Sequence, residues 1–167
     1  MVRRSGNYVQ DSFPGTVSDR AGALSVGSVY SQPGETVVGE SGVLRPERSE
    51  LEPLRRRELD QRGYEDADGL LKRAGLGPRS PERFYRLEEG TTYVVEFAES
   101  PVVPDDGVGI LEPSENLRSA NVIMTASFVA PGQGPIEASL KVDDQFALVA
   151  EDAAIAELIV VPTAEKS

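Results

Sequence analysis

Cysteine, histidine and tryptophan are absent from this 167-residue chain, and lysine stands only at Lys72, Lys141 and Lys166, against 14 arginines. Without cysteine there are no disulfides and no thiolate metal sites. Without histidine the commonest general base and the commonest metal ligand are gone. Any catalysis falls to carboxylates, tyrosine, lysine, or water held by the backbone. No apolar run approaches the ~20 residues of a membrane-spanning helix. The opening Met1-Val2-Arg3-Arg4-Ser5 has charge but no apolar segment after it. No secretory signal is therefore expected, and the cytoplasm is the expected location. The length sets a prior for one domain, and an apolar content of 39% is ordinary for a globular chain.

Positive charge is scarce in one half only. Residues 1–86 carry 14 Lys/Arg and 13 Asp/Glu, a net of +1, whereas residues 87–167 carry 3 and 15, a net of −12. A field of that sign repels nucleic acid and free polyphosphate, so neither a nucleic-acid nor a membrane partner is expected. High acid, little lysine and many small residues resemble the proteins of salt-loving archaea. There an acidic surface serves solubility, because molar salt screens it within a few Å.

Three regions follow along the chain. Residues 1–46 are rich in Gly, Ser and Val and hold one strand-like run, Ala23 to Tyr30, with a slip expected at Gly27. Residues 47–80 read as a helical, partly mobile surface insertion with few apolar positions. Ser49 is a plausible N-cap with Glu52 three residues on and Pro53 in the first turn. A second short helix is expected from Asp66 to Gly75, with Lys72 and Arg73 near its C-terminus.

Residues 81–162 read as the β core, with 163–167 a tail. Tyr93, Val95 and Phe97 alternate with Thr92, Val94 and Glu96. Further strands are expected at Gly109–Leu111, Asn121–Phe128, Ile136–Val142, Phe146–Val149 and Ala154–Val161. Short strands at near-even spacing with turn signals indicate an all-β sandwich or barrel. "TASFVAPGQGPIEASLKV", Thr125 to Val142, reads as strand, tight turn, strand.

Taken together these runs resemble the dUTP diphosphatase / dCTP deaminase family. "YRLEEGTTYVVEFAESPVVPDDGVGIL" is similar to the family's strand pair ahead of its phosphate-binding motif. "EPSENLRSANVIMTA" falls on the Pro-Arg-Ser-Ser-Leu motif and its short helix, with Pro113 and Leu117 matching. Thr125 to Val142 falls on the uridine-binding hairpin, and "AAIAELIVV" on the closing strand. "AGALSVGSVY" falls on the first motif, Gly-Val-Asp-Leu-Thr-Val. The resemblance spans about a hundred residues and omits 47–80. It implies a distorted jelly-roll β-barrel, a homotrimer with sites between subunits, a deoxyuridine nucleotide ligand, and Mg²⁺ if the protein is active.

The chemical positions depart from the family. Ala23 stands where the first-motif Asp would help organise metal and triphosphate. Ser114, Glu115 and Asn116 replace the phosphate-binding Arg and Ser residues, with Arg118 the only nearby cation besides Lys141. Val129 stands where an Asp would position the catalytic water and the sugar hydroxyl. Gly132 stands where a Tyr would stack under the deoxyribose, beside Gln133. Glu157 replaces the closing-strand Gln. The deaminase glutamate falls on Ser139, with Glu137 two residues earlier on the same face.

Each remaining candidate has two readings. Glu137 is a possible base or a solvated face residue. Glu157, between Ile155 and Ile159, is a site relic, an interface partner, or simply exposed. Arg55, Arg56 and Arg57 either reach toward a phosphate or form an exposed helix face. The pairs Asp105-Asp106, Asp143-Asp144 and Glu151-Asp152 read as acidic turns, since neighbouring side chains point apart. No metal site is expected. Two functions remain: a catalytically degenerate relative with a structural, regulatory or weak nucleotide-binding role, or an active dUTP diphosphatase with a rearranged site. A dCTP deaminase is the least favoured.

Overall fold

The computed structural model describes residues 19–32, 36–44, 47–132 and 134–163. The elements run β1 (Asp19–Ser31), β2 (Val37–Gly39), β3 (Gly42–Leu44), β4 (Ser49–Glu50), β5 (Leu54–Arg55), α1 (Arg56–Gln61) and α2 (Glu65–Arg73). They continue with β6 (Arg83–Leu87), β7 (Thr92–Phe97), β8 (Gly107–Pro113), α3 (Glu115–Arg118), β9 (Val122–Met124) and β10 (Ser127–Val129). β11 (Glu137–Val142), β12 (Ala147–Ala150) and β13 (Ala154–Pro162) complete the chain.

The main sheet is antiparallel, ordered β10-β8-β13-β1-β7-β11-β9, with β4 also on β1. It curls because β1 serves both halves. Its first half pairs with β13 and its second half with β7. The switch falls at Gly27, where the register with β7 slips as the sequence indicates. A Cβ at Gly27 would lie 2.8 Å from the Glu96 carbonyl and 2.9 Å from the Ala98 nitrogen. Both are backbone atoms that cannot yield, so only glycine lets the strands approach there. Alternation places Leu24, Val26 and Val29 of β1, Tyr93, Val95 and Phe97 of β7, Leu140 and Val142 of β11, and Ala156 and Leu158 of β13 in one core. Val94, assigned to the polar face by alternation, is buried as well, at 6% exposure.

Two expectations about residues 47–80 are corrected. Ser49 caps no helix; it pairs with Ser31 as part of β4, and the Leu51 N–H continues the run by donating to the Val29 carbonyl. The first helix starts only at Arg56, with no side-chain cap. Nor is the segment a surface decoration. Leu54, Leu59, Ala67 and Leu71 are buried with Phe84 in a second core. The small sheet β12-β6-β5 separates the two cores. Tyr85, Leu87, Ala147 and Val149 face the main one, and Phe84, Leu148 and Ala150 face the helices. α2 runs close to its expected bounds, and Gly75 follows it at φ +80°.

Arg56 is likewise not on an exposed helix face. It is 4% exposed, pairs with Asp68, and donates to the Leu76 carbonyl at 2.7 Å. This ties the start of α1 to the end of α2. Arg55 and Arg57 are exposed. A second tie is stronger. The Arg86 guanidinium lies 4.1 Å from the Tyr64 ring centre and 3.8 Å from that of Phe146. It also forms two parallel bonds to the Asp66 carboxylate, both 2.9 Å, and reaches Glu88 at 2.8 Å. Stacking and forked pairing use the planar face and the edge of the same group.

The stretch Thr125 to Val142 is not a tight hairpin. Its first strand, β10, leaves its neighbour and pairs with β8; β11 pairs with β9 and β7 instead. The expected strand Asn121–Phe128 is therefore two strands, broken at Thr125-Ala126. The reason lies in Gly109. With no side chain there, Val129 seats directly on β8, and a Cβ at Gly109 would meet the Val129 Cβ at 3.1 Å. The exposed β2–β3 hairpin was not indicated by the sequence.

Candidate functional site

β8, β13 and β1 lie side by side, and one row across their outer face holds Glu112, Glu157 and Ala23, each directly opposite the next. Two carboxylates opposite one another repel, and Arg118 answers one of them, with Nη2 3.4 Å from Glu112 Oε2. The strands thus gather three of the singled-out residues, Ala23, Glu157 and Arg118. They add Glu112, which the sequence did not mark, since a Glu at a strand end reads as surface. Glu157 is half-buried and shares its face with Ile159 and Val161.

The segment after β8 is held by its backbone. The Ser114 N–H donates to the Ile155 carbonyl at 2.8 Å. The Ser114 hydroxyl accepts the Leu117 N–H at 3.2 Å, making it the N-cap of α3. Leu117 is buried beneath, while Glu115 and Asn116 are exposed. The position that would hold a phosphate is therefore occupied by a capping hydroxyl, an exposed carboxylate and an amide, near two further carboxylates. A carboxylate ~4 Å from a phosphate costs on the order of 1 kcal/mol in water, and more as water is excluded.

Val129 and Gly132 lie elsewhere. They line a small apolar recess of about 290 Å³ with Pro101, Val103 and Pro135. Val129 is 3% exposed and belongs to the main core. Its partner on β8, Gly109, is three residues from Glu112, roughly 10 Å along the strand. Gly132 has φ +71° and open space where a side chain would be. Gln133 lies outside the described residues. Within one chain, the hairpin positions and the motif positions are therefore separate.

A third cluster was missed. Arg48, 89 residues away in sequence, forms two parallel hydrogen bonds to Glu137, at 2.7 and 2.9 Å. It stands 5.8 Å from the Tyr30 ring centre, and Glu137 raises its pKa above the ordinary arginine value. The pair borders a cleft of about 410 Å³ lined also by Thr125, Ser127 and Ser139. Glu137 is thus half-buried rather than a solvated face residue. Ser139, on the deaminase glutamate position, shares its cleft. Both oxygens of Glu137 are engaged by Arg48, so base function would require Arg48 to leave first.

Among the described residues no three Asp or Glu side chains gather closely enough to hold a metal, and Glu112 is already held by Arg118. The acidic pairs Asp105-Asp106, Asp143-Asp144 and Glu151-Asp152 all sit exposed at turns. Among the described residues no helix is long and apolar enough to cross a membrane.

No family model and no curated protein matches the sequence. Among solved structures, a 2′-deoxycytidine 5′-triphosphate deaminase from Agrobacterium tumefaciens superposes with a TM-score of 0.53 at 12% identity, over 92% of this chain. The two proteins share a fold. The chain spans 41% of the length of that deaminase. The all-β, dUTPase-like architecture expected from the motif order is the architecture found. An identity this low speaks for the fold alone.

Proposed function

We propose that the chain is a catalytically degenerate protein of the dUTPase-like fold, with a structural, regulatory or weak deoxynucleotide-binding role. The observation that carries this is Val129, a core residue packed on Gly109 at the position of the catalytic Asp. Three further losses support it. Ala23 carries no carboxylate, Ser114 stands in place of the phosphate-binding Arg and is spent as a helix cap, and Gly132 has no ring to stack under a sugar. One such loss is open to compensation by a neighbour. Four, spread over three motifs, leave neither a placed base nor a cationic cradle for a triphosphate.

Nucleotide binding is then weak. A thermal-shift titration with a non-hydrolysable dUTP analogue and with dCTP reads this directly, because a ligand that binds the folded state raises its stability by mass action. The expected midpoint shift stays within the noise below ~1 mM nucleotide. A saturating shift at micromolar nucleotide contradicts the reading.

A second reading, an active dUTP diphosphatase with a rearranged site, draws on the Arg48–Glu137 cleft and its hydroxyls. In that reading Arg48 would take a phosphate and release Glu137 to act on water.

A homotrimer is proposed from the outer face of the main sheet. Phe128 is 73% exposed, and Ile110 and Ile159 lie beside it in the same row. Exposed apolar surface of this kind marks association sites. Sedimentation equilibrium is expected to give three chains per particle, and monomers for Phe128→Glu. A monomeric native protein would remove the proposal.

A further inference from the structure

A cleft of about 1020 Å³ lies between α2, the α3–β9 segment and β12. Strand β12 forms one wall. It is the edge of its sheet, pairing only with β6.

The direction of its free backbone groups follows from one bond. The Glu151 N–H donates to the Arg83 carbonyl. In an antiparallel pair the hydrogen-bonded positions alternate, so Val149 and Ala147 exchange both bonds with β6. The Leu148 N–H and carbonyl then face the other way, into the cleft, where among the described residues no backbone partner takes them up. An uncovered edge is a template for another strand.

The walls define what such a strand would carry. On one side lie Leu117, Val122 and Ile155; on the other lies Leu70 of α2. Side chains of an added strand alternate between these walls; the first presents these three apolar residues, and on the second Leu70 lies between Asp66 and Arg73. The two ends of β12 are acidic. Asp143-Asp144 precedes it and Glu151-Asp152 follows it, and all four residues are exposed. The chain turns at each end through a left-handed residue, Gln145 at φ 57° and Asp152 at φ 67°. Among the described residues, none of the four carboxylates has an ion-pair partner.

We propose that β12 is a docking edge for an extended segment of a partner protein, apolar in its middle and flanked by Lys or Arg. The segment adds a strand to the β12-β6-β5 sheet. The main-chain bonds of Leu148 set its register, and the acidic turns hold its basic ends. Charge selects the occupant. An acidic segment, including one drawn from this chain's own residues 87–167, meets four unpaired carboxylates.

The test uses the full chain and three labelled peptides. The probe is Lys-Arg-Val-Thr-Val-Thr-Val-Arg-Lys. One twin has proline for the central valine; the other has Glu and Asp in place of the basic flanks. Fluorescence anisotropy at low salt is expected to saturate with the probe and to be at least about tenfold weaker with either twin. Proline removes a main-chain donor, and acidic flanks reverse the charge attraction. Amide exchange at Leu148 is expected to slow in the complex. The double variant Asp144→Lys/Glu151→Lys, at exposed turns, is expected to melt like the native chain and to weaken the probe about tenfold. Leu70→Asp on the opposite wall is expected to weaken it by a similar factor. The proposal is overturned if the proline twin binds as well as the probe, if protection appears elsewhere, or if none of the peptides binds. It is also overturned if sedimentation shows a second copy of the chain already protecting Leu148.

Discussion

Val129→Asp lowers stability by about 3–5 kcal/mol and restores no hydrolysis. The valine is 3% exposed and touches Gly109 across the β10–β8 pair, with Val103 and Leu158 around the same glycine. An aspartate placed there keeps its backbone register but buries a carboxylate among the apolar side chains of the main core, a cost of several kcal/mol. For a chain of this size each kcal/mol moves the melting midpoint by ~2–4 °C, so a drop of about 6–20 °C is expected. Val129→Ala, which only removes methyl groups, is expected to cost roughly 2 kcal/mol. Calorimetric melts of the three proteins measure this. An aspartate variant within 1 kcal/mol of the native protein would mean that position 129 is wet or faces a partner, and the core assignment would fail.

The second large effect is expected at Arg86. Its guanidinium stacks on Tyr64 and Phe146 while its edge holds Asp66 and Glu88, so one side chain joins α2, β6 and the approach to β12. Arg86→Ala removes two cation–π contacts, a forked ion pair and a largely buried stem. We expect a loss of about 2–4 kcal/mol, discounted for the half-exposed Asp66. Arg86→Lys keeps the charge but neither the plane nor the fork, and should recover less than half of it. The pH dependence has a definite sign. Arg86 holds the Asp66 carboxyl below its ordinary value. Its contribution is therefore present above about pH 4 and is lost as the pH falls through the lowered folded value. In Arg86→Ala this part of the acid loss disappears. Urea melts from pH 7 down to pH 2, on both proteins, read it. An unchanged acid limb in the variant would show that Asp66 draws nothing from Arg86.

These two sites also mark where the sequence could and could not be read. Strands with clean alternation were legible: Leu24, Val26 and Val29 on β1, Tyr93, Val95 and Phe97 on β7, and the slip at Gly27. The motif order also carried the architecture, because strand spacing and turns survive when chemical side chains change. What failed was long-range pairing. Ala130 to Gly134 looks like a hairpin turn, and nothing local says that Ser127 to Val129 will pair with β8 instead of β11. That choice depends on Gly109, about twenty residues earlier.

Arginine shows the same limit. Nothing local to "RFYRL" marks Arg86, and only the fold brings Tyr64 and Phe146 to its two faces. Arg56 and Arg48 repeat the lesson, each paired with a carboxylate distant in sequence. Of the site, the motifs singled out Ala23, Glu157 and Arg118 one by one, and only the strand pairing sets Ala23 opposite Glu157. The Arg48–Glu137 pair was not, since no motif contains both.

The claim at the centre is that the fold persisted while its chemistry was replaced by packing and capping residues. Phosphorus NMR of the purified protein with dUTP, and with dCTP, tests it most directly. Each nucleotide is supplied with Mg²⁺ in molar KCl and in dilute buffer, with ammonia assayed in parallel. The account predicts spectra that match the protein-free control after hours at micromolar protein. Pyrophosphate appearing from dUTP at an ordinary enzyme rate of about 1 s⁻¹ or faster would contradict it.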